Sequence, residues 1–136
     1  MVKVQAVIFD CFGVIQPLTS ATVDKELLVF IEELHKDYKT AVLSNAGKGR
    51  LTEVIGQKEA ERCFDVLVES GTTGFAKPDL EIYKYTSTLL GVLPEDCVFT
   101  DDSQDFCDAA RRAGMQSIRY GSLDQFKLEL LKLLQK

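Results

Sequence analysis

Histidine is almost missing from this chain. His35 is the only one in 136 residues, and it falls on a polar, solvated stretch of a helical pattern. A Ser-His-Asp triad and a histidine-built zinc centre are therefore excluded. Basic charge is also in short supply. Against 16 Lys and Arg stand 21 Asp and Glu, a formal net charge of -5. That balance argues against nucleic acid or an anionic membrane surface as a partner. No apolar run is long enough to span a bilayer, and no basic start with a following apolar segment marks a secretion signal. Cysteine pairs are lacking as well. Cys11, Cys63, Cys97 and Cys107 show no spacing typical of zinc sites or redox motifs. They are expected to be reduced thiols in a cytoplasmic protein. Long linkers, internal repeats and low-complexity segments are absent, so residues 1–136 read as one domain with one core.

What is present is an alternation of apolar runs and helical patterns. Val4 to Phe9 is almost continuously apolar, Asp10 follows, and Cys11 to Ile15 turns the chain away. An apolar run bounded by a turn signal predicts a central parallel strand, here Val2 to Phe9. Val23, Leu27, Phe30, Ile31, Leu34 and Tyr38 recur at helical spacing and predict a helix over Thr22 to Tyr38. A short strand follows at Thr40 to Leu43, then a broken helix over Arg50 to Arg62 with Gly56 as its weak point. Phe64 to Val68 is the third predicted strand, with Gly71 and Gly74 in a loop beyond it. Pro78-Asp79 is expected to open a helix reaching Leu90. Cys97 to Thr100 is a strand, Ser103 to Ala113 a helix stopped by Gly114, Gln116 to Tyr120 the last strand and Leu123 to Leu134 a closing helix. Repeated βα units imply an α/β three-layer sandwich around a parallel sheet.

Polar residues cluster where strands end or helices begin: Asp10, Ser44-Asn45, Lys77 and Asp101-Asp102. Carboxyl ends of parallel strands share one edge of the sheet, and ligands gather there. Asp10, Asp101 and Asp102 offer the oxygen donors that magnesium prefers. Ser44 and Asn45 suit a phosphate or another oxyanion, and Lys77 would offset negative charge. A carboxylate nucleophile, a hard cation and an anion pocket together suit phosphoryl transfer. Each group has a structural alternative. Asp10 could cap a turn, Asp102 or Ser103 could cap the next helix, Ser44-Asn45 is a natural loop pair, and Lys77 could be a surface lysine. Cys11 reads as a small buried hydrophobe. Leu128 and Leu131 broaden the apolar face of the last helix, which could support self-association.

The four clusters resemble, in order, the four motifs of the haloacid dehalogenase (HAD) superfamily. Val7-Ile8-Phe9-Asp10-Cys11-Phe12-Gly13-Val14-Ile15 resembles the first and Val42-Leu43-Ser44-Asn45 the second. Phe75-Ala76-Lys77-Pro78-Asp79 resembles the third, and Val98-Phe99-Thr100-Asp101-Asp102-Ser103 the fourth. The resemblance implies a Rossmann-like sheet of about five strands in the order 5-4-1-2-3. It implies Asp10 as nucleophile and metal ligand, with the Phe12 backbone carbonyl, Asp102 and Asp101 completing a magnesium site. Ser44, supported by the Asn45 amide, would hold the phosphoryl group, and Lys77 would pair with Asp10 and the transferred group.

The same pattern marks two departures. HAD phosphatases carry a second aspartate at position 12, where it protonates the leaving group, and many relatives carry an acid or amide near position 106. Here both positions are phenylalanine. Loss of a general acid slows such reactions by about 10²–10⁴-fold. The leading expectation is thus a slow magnesium-dependent phosphatase or phosphotransferase acting on a phosphorylated substrate. A non-catalytic scaffold or binding module is the alternative. A metal-free dehalogenase is a third reading, since that branch has an aromatic residue at position 12, although paired acids would repel a carboxylate substrate. Too few residues separate the motifs for a sizeable cap, and an open site suits a macromolecular substrate. A receiver domain fits poorly, because its acid pair follows the first strand. Oligomeric state is left open.

Overall fold

The computed structural model describes residues 3–135. Five strands form one parallel sheet: β1 (Ala6–Phe9), β2 (Lys39–Ser44), β3 (Val66–Glu69), β4 (Cys97–Asp101) and β5 (Gln116–Arg119). Their order is β3-β2-β1-β4-β5, the expected 5-4-1-2-3 read from the other edge. Among the described residues seven α-helices accompany them, the first six between strands and the last after β5: α1 (Lys25–His35), α2 (Arg50–Ile55), α3 (Gln57–Cys63), α4 (Ser70–Thr73), α5 (Leu80–Leu90), α6 (Gln104–Arg112) and α7 (Leu123–Leu134).

Strand periodicity builds the two cores. Val7 and Phe9 point to one face of the sheet and meet Val42, Val98 and Ile118, with α1, α2, α3 and α7 packed over them. Ala6 and Ile8 point to the other face and meet Leu43, Val68 and Phe99, covered by α5 and α6. The central strands are apolar on both sides because both faces are covered. Burying each large apolar side chain of this kind contributes about 1.5–3 kcal/mol.

Several boundaries differ from the sequence pattern, each for a local reason. Of the strand expected from Val2, residue 2 lies outside the described residues, and pairing begins at Ala6. The first helix is shorter than its apolar spacing, because the Asp24 side chain accepts from Leu27 N and caps it. Gly56, at φ 96°, divides α2 from α3. Pro78 does not open α5. Asp79 takes the N-cap position with extended backbone, so the helix begins at Leu80; the Lys77-Pro78 peptide before it is cis. The loop expected around Gly71 contains the single turn α4, ended by Gly74 at φ 80°.

His35 is half-buried rather than solvated. Its Nδ1 lies 3.0 Å from Thr40 Oγ1, which itself donates to Cys63 O, at the sheet edge opposite the strand carboxyl ends. All four cysteines are buried and free. Leu128 and Leu131 are exposed, so the core of α7 rests on Phe126 and Leu130. None of the described helices is long and apolar enough to cross a membrane.

Candidate active site

Register decides what meets at the carboxyl edge. Phe9 pairs with Thr100 in the β1–β4 ladder, and Asp10 N donates to Thr100 O at 3.0 Å. Asp10 and Asp101, the next residue on each strand, are thereby set side by side. On the other flank Phe9 pairs with Val42, and β2 runs on to Ser44. The loop before α5 then brings in Lys77.

Lys77 is buried, with 1% of its side chain exposed, and Nζ lies 2.8 Å from both Asp10 Oδ1 and Asp101 Oδ2. The surface-lysine alternative is therefore wrong. Its ammonium also sits 4.9 Å from the centroid of the Phe106 ring and 5.5 Å from that of Phe99, within cation–π range. Phe106 thus forms an aromatic wall for the lysine. The Tyr83 hydroxyl donates to Phe106 O at 2.9 Å and ties that wall to α5.

Both Asp101 oxygens have partners: Oδ2 takes Lys77 and Oδ1 accepts from Ser103 N at 3.0 Å. Ser103, not Asp102, caps α6, its Oγ accepting from Phe106 N. Asp102 is left to face Gly13. A Cβ built on Gly13 would collide with the Asp102 carboxylate, and Gly13 has φ 94°. Glycine is required there twice over, for the left-handed backbone and for the close approach.

Asp10, Asp101 and Asp102 bring carboxylate oxygens within 4.8 Å of one another. Three acids share one ammonium, so negative charge is left over in a low-dielectric place. Burial pushes the Asp10 carboxyl from its ordinary 3.8 up to about 7; Lys77 opposes the rise and Asp101 adds to it. Asp102 is also raised, through burial first and then its hydrogen bond to Asp101 and that neighbour's charge. Hard oxygen donors with surplus negative charge suit a divalent cation such as magnesium. The Phe12 carbonyl sits in a tight turn closed by Gly13 N to Gln16 O at 2.8 Å and Gln16 N to Cys11 O at 2.9 Å. Neither bond uses that carbonyl. Cys11 itself is fully buried, and its thiol is raised to about 12 by burial.

Ser44 lies at the end of β2 and its hydroxyl has no hydrogen bond among the described residues. The Asn45 side chain is committed elsewhere: Nδ2 donates to Lys77 O at 3.0 Å and Oδ1 accepts from Lys77 N at 2.9 Å. Contact of Asn45 with a ligand thus falls to its main chain. Two further contributors lie at the end of β3 and just beyond it. Glu69, at the end of β3, accepts from Gly49 N at 2.9 Å and Leu51 N at 2.8 Å, fixing the start of α2. Gly71 packs against the 46–48 backbone, where a Cβ would lie 3.0 Å from Ala46 O. An acid directly after a strand pattern was the available hint for Glu69.

Residues 4–114 match the haloacid dehalogenase-like hydrolase family. The chain belongs to that family. It is 33% identical over 97 residues to a phosphorylated carbohydrates phosphatase of Thermotoga maritima, covering 71% of this chain and 44% of that protein. This HAD-like chain spans less than half the length of the curated relatives it matches. Among solved structures, a protein of Corynebacterium glutamicum superposes with a TM-score of 0.82 at 25% identity, covering 96% of this chain and 94% of that one. A HAD family enzyme of Bacteroides thetaiotaomicron, solved with magnesium and inorganic phosphate, gives 0.76 at 15% identity, covering 88% and 96%. The latter likeness is one of fold. Among the described residues no inserted domain stands over the site: residues 16–24 form turns between β1 and α1.

Proposed function

We propose that this HAD-like hydrolase is a slow magnesium-dependent phosphatase or phosphotransferase with Asp10 as its nucleophile. The observation that carries this reading is the buried Asp10–Lys77–Asp101 cluster, with Asp102 completing the carboxylate set. Asp10, Asp102 and the Phe12 carbonyl would hold magnesium, with Asp101 ligating it or steadying a bound water. Bound there, the cation would offset charge on the phosphoryl oxygens and on the acids themselves.

Each remaining group has a task. Lys77 holds Asp10 Oδ1 in place and sets positive charge beside the transferred group. Ser44 Oγ and the Asn45 main chain receive the phosphoryl oxygens. An Asp10 oxygen attacks phosphorus, the bond to the leaving oxygen breaks, and its electron pair departs with the leaving group. Water then cleaves the aspartyl-phosphate. Phe12 can neither give nor take a proton in either half.

The test is a rate on aryl phosphates. Asp10→Asn should abolish turnover, and Phe12→Asp should raise it by about 10²-fold or more. Unchanged rates in both variants would remove the reading. They would favour a non-catalytic binding module, for which Phe12 and Phe106 are the motivating residues.

A further inference from the structure

At position 12, where an acid would protonate the leaving group, stands a phenylalanine ring with a cation over it. The Arg50 guanidinium carbon lies 5.8 Å from the centroid of the Phe12 ring. Phe12 is half-buried and packs against the core below it, so the ring has little freedom to move. Arg50 is exposed, with its guanidinium over that ring.

This placement is built into the fold. Arg50 is the first residue of α2, and the amides of the residues on both sides of it are held by one carboxylate. Glu69, itself buried, takes Gly49 N on one oxygen and Leu51 N on the other. Arg50 N donates to Gly47 O at 3.1 Å. The competing partner is weak. Glu53 Oε1 lies 3.8 Å from Arg50 Nη1 and both side chains are largely exposed, a pairing that contributes little in water. The guanidinium is thus held near Phe12 with its donors available.

Among the described residues, the groups beside Asp10 are poorly suited to donate a proton to a departing oxygen. Cys11 is fully buried. Lys77 is tied to two carboxylates, Phe12 and Phe106 have no acidic proton, and Asp101 and Asp102 belong to the metal set. A leaving alkoxide needs a proton, whereas a carboxylate or a phosphate can leave as an anion. A guanidinium is suited to such anions, because its fork of donors matches two oxygens at once.

We infer that Arg50, braced on Phe12, selects phosphoryl donors whose leaving group departs as an oxyanion: acyl phosphates or phosphoanhydrides. This rests on the phosphoryl-transfer reading above. The step balances without an external acid. The Asp10 oxygen–phosphorus bond forms, the phosphorus–leaving-oxygen bond breaks, and the electron pair stays on the leaving carboxylate or phosphate, which Arg50 meets.

The experiment compares kcat/KM on acetyl phosphate, inorganic pyrophosphate and glycerol phosphate for wild type, Arg50→Gln and Arg50→Lys. Magnesium-dependent stabilisation by beryllofluoride is recorded for each protein. Wild type should favour acetyl phosphate or pyrophosphate over glycerol phosphate by about 10²-fold or more. Whichever of the two is faster tells acyl from anhydride. Arg50→Gln should lose about ten- to a hundredfold on that donor and clearly less on glycerol phosphate, with beryllofluoride binding intact. Arg50→Lys should recover part of the loss. Equal rates on all three donors, or an unchanged Arg50→Gln, would overturn the assignment while the beryllofluoride response keeps the nucleophile reading standing. Loss of that response in wild type would overturn both.

Discussion

Asn45 holds Lys77 by its backbone, donating to its carbonyl at 3.0 Å and accepting from its amide at 2.9 Å. The loop residue after β2 thereby sets the position of a lysine 32 residues further on. The Lys77 side chain then spans to β1 and β4. Asn45→Ala removes both bonds, and we expect a loss of about 1–3 kcal/mol in urea unfolding. Magnesium should also stabilise that variant less, since the acids are no longer gathered around one point. A variant as stable and as magnesium-responsive as wild type would show that Lys77 is placed by other contacts.

Among the described residues, Lys77 is the ammonium set between buried acids. Removing one member of such a buried set is costly, because the partners keep their charge without compensation. Lys77→Met should lose about 3–5 kcal/mol near neutral pH. Combining it with Asp10→Asn should recover part of that loss. Additive losses in the double variant would contradict the coupling.

Asp10 also gives a signed pH dependence. Its folded value, about 7, stands above the ordinary 3.8 because of burial. Between those values the folded chain binds a proton that the unfolded chain has released. The contribution to stability is complete below the unfolded value and is lost as pH rises through the folded one. With metal chelated, wild-type stability should therefore fall from about pH 4 to 7, by no more than about 1.4 kcal/mol per pH unit for one such group. Asp10→Asn should flatten this slope without abolishing it, since Asp102 is shifted in the same direction. Urea midpoints across that range check the sign, and a rise with pH would refute it.

Gly13 leaves room for the Asp102 carboxylate. Gly13→Ala places a methyl group where Asp102 now lies and forces a side chain onto a backbone at φ 94°. The carboxylate is the mobile partner and should swing out of the metal set. We expect about 1–3 kcal/mol of destabilisation and a weaker magnesium response in thermal unfolding. Destabilisation with undiminished magnesium affinity would separate Asp102 from the metal site.

The fold was legible in the sequence because its signals are local. Apolar runs at Val4–Phe9 and Cys97–Thr100, glycines at 56 and 114, and the periodic α7 each state their structure within a few residues. Strand order came through the motif resemblance. Candidate site positions were legible as polar residues after strands. Their wiring was not. The burial of Lys77, the commitment of Asn45 to it, the grip of Glu69 on either side of Arg50, and the contact of Gly13 with Asp102 join residues far apart in the chain. Such pairs leave no periodic trace. The first helix starts later than its apolar spacing suggests because the Asp24 cap sets its first turn, and α5 starts at Leu80 rather than at Pro78.

The measurement closest to the central claim is thermal unfolding with magnesium alone and with magnesium plus beryllofluoride, for wild type and Asp10→Asn. Beryllofluoride mimics the aspartyl-phosphate and needs no general acid, so Phe12 does not obstruct it. A ligand that binds only the native state raises the melting temperature by mass action. The account predicts a rise in wild type that requires both reagents and is absent in Asp10→Asn. No rise in wild type, or the same rise in both proteins, would contradict Asp10 as a nucleophile.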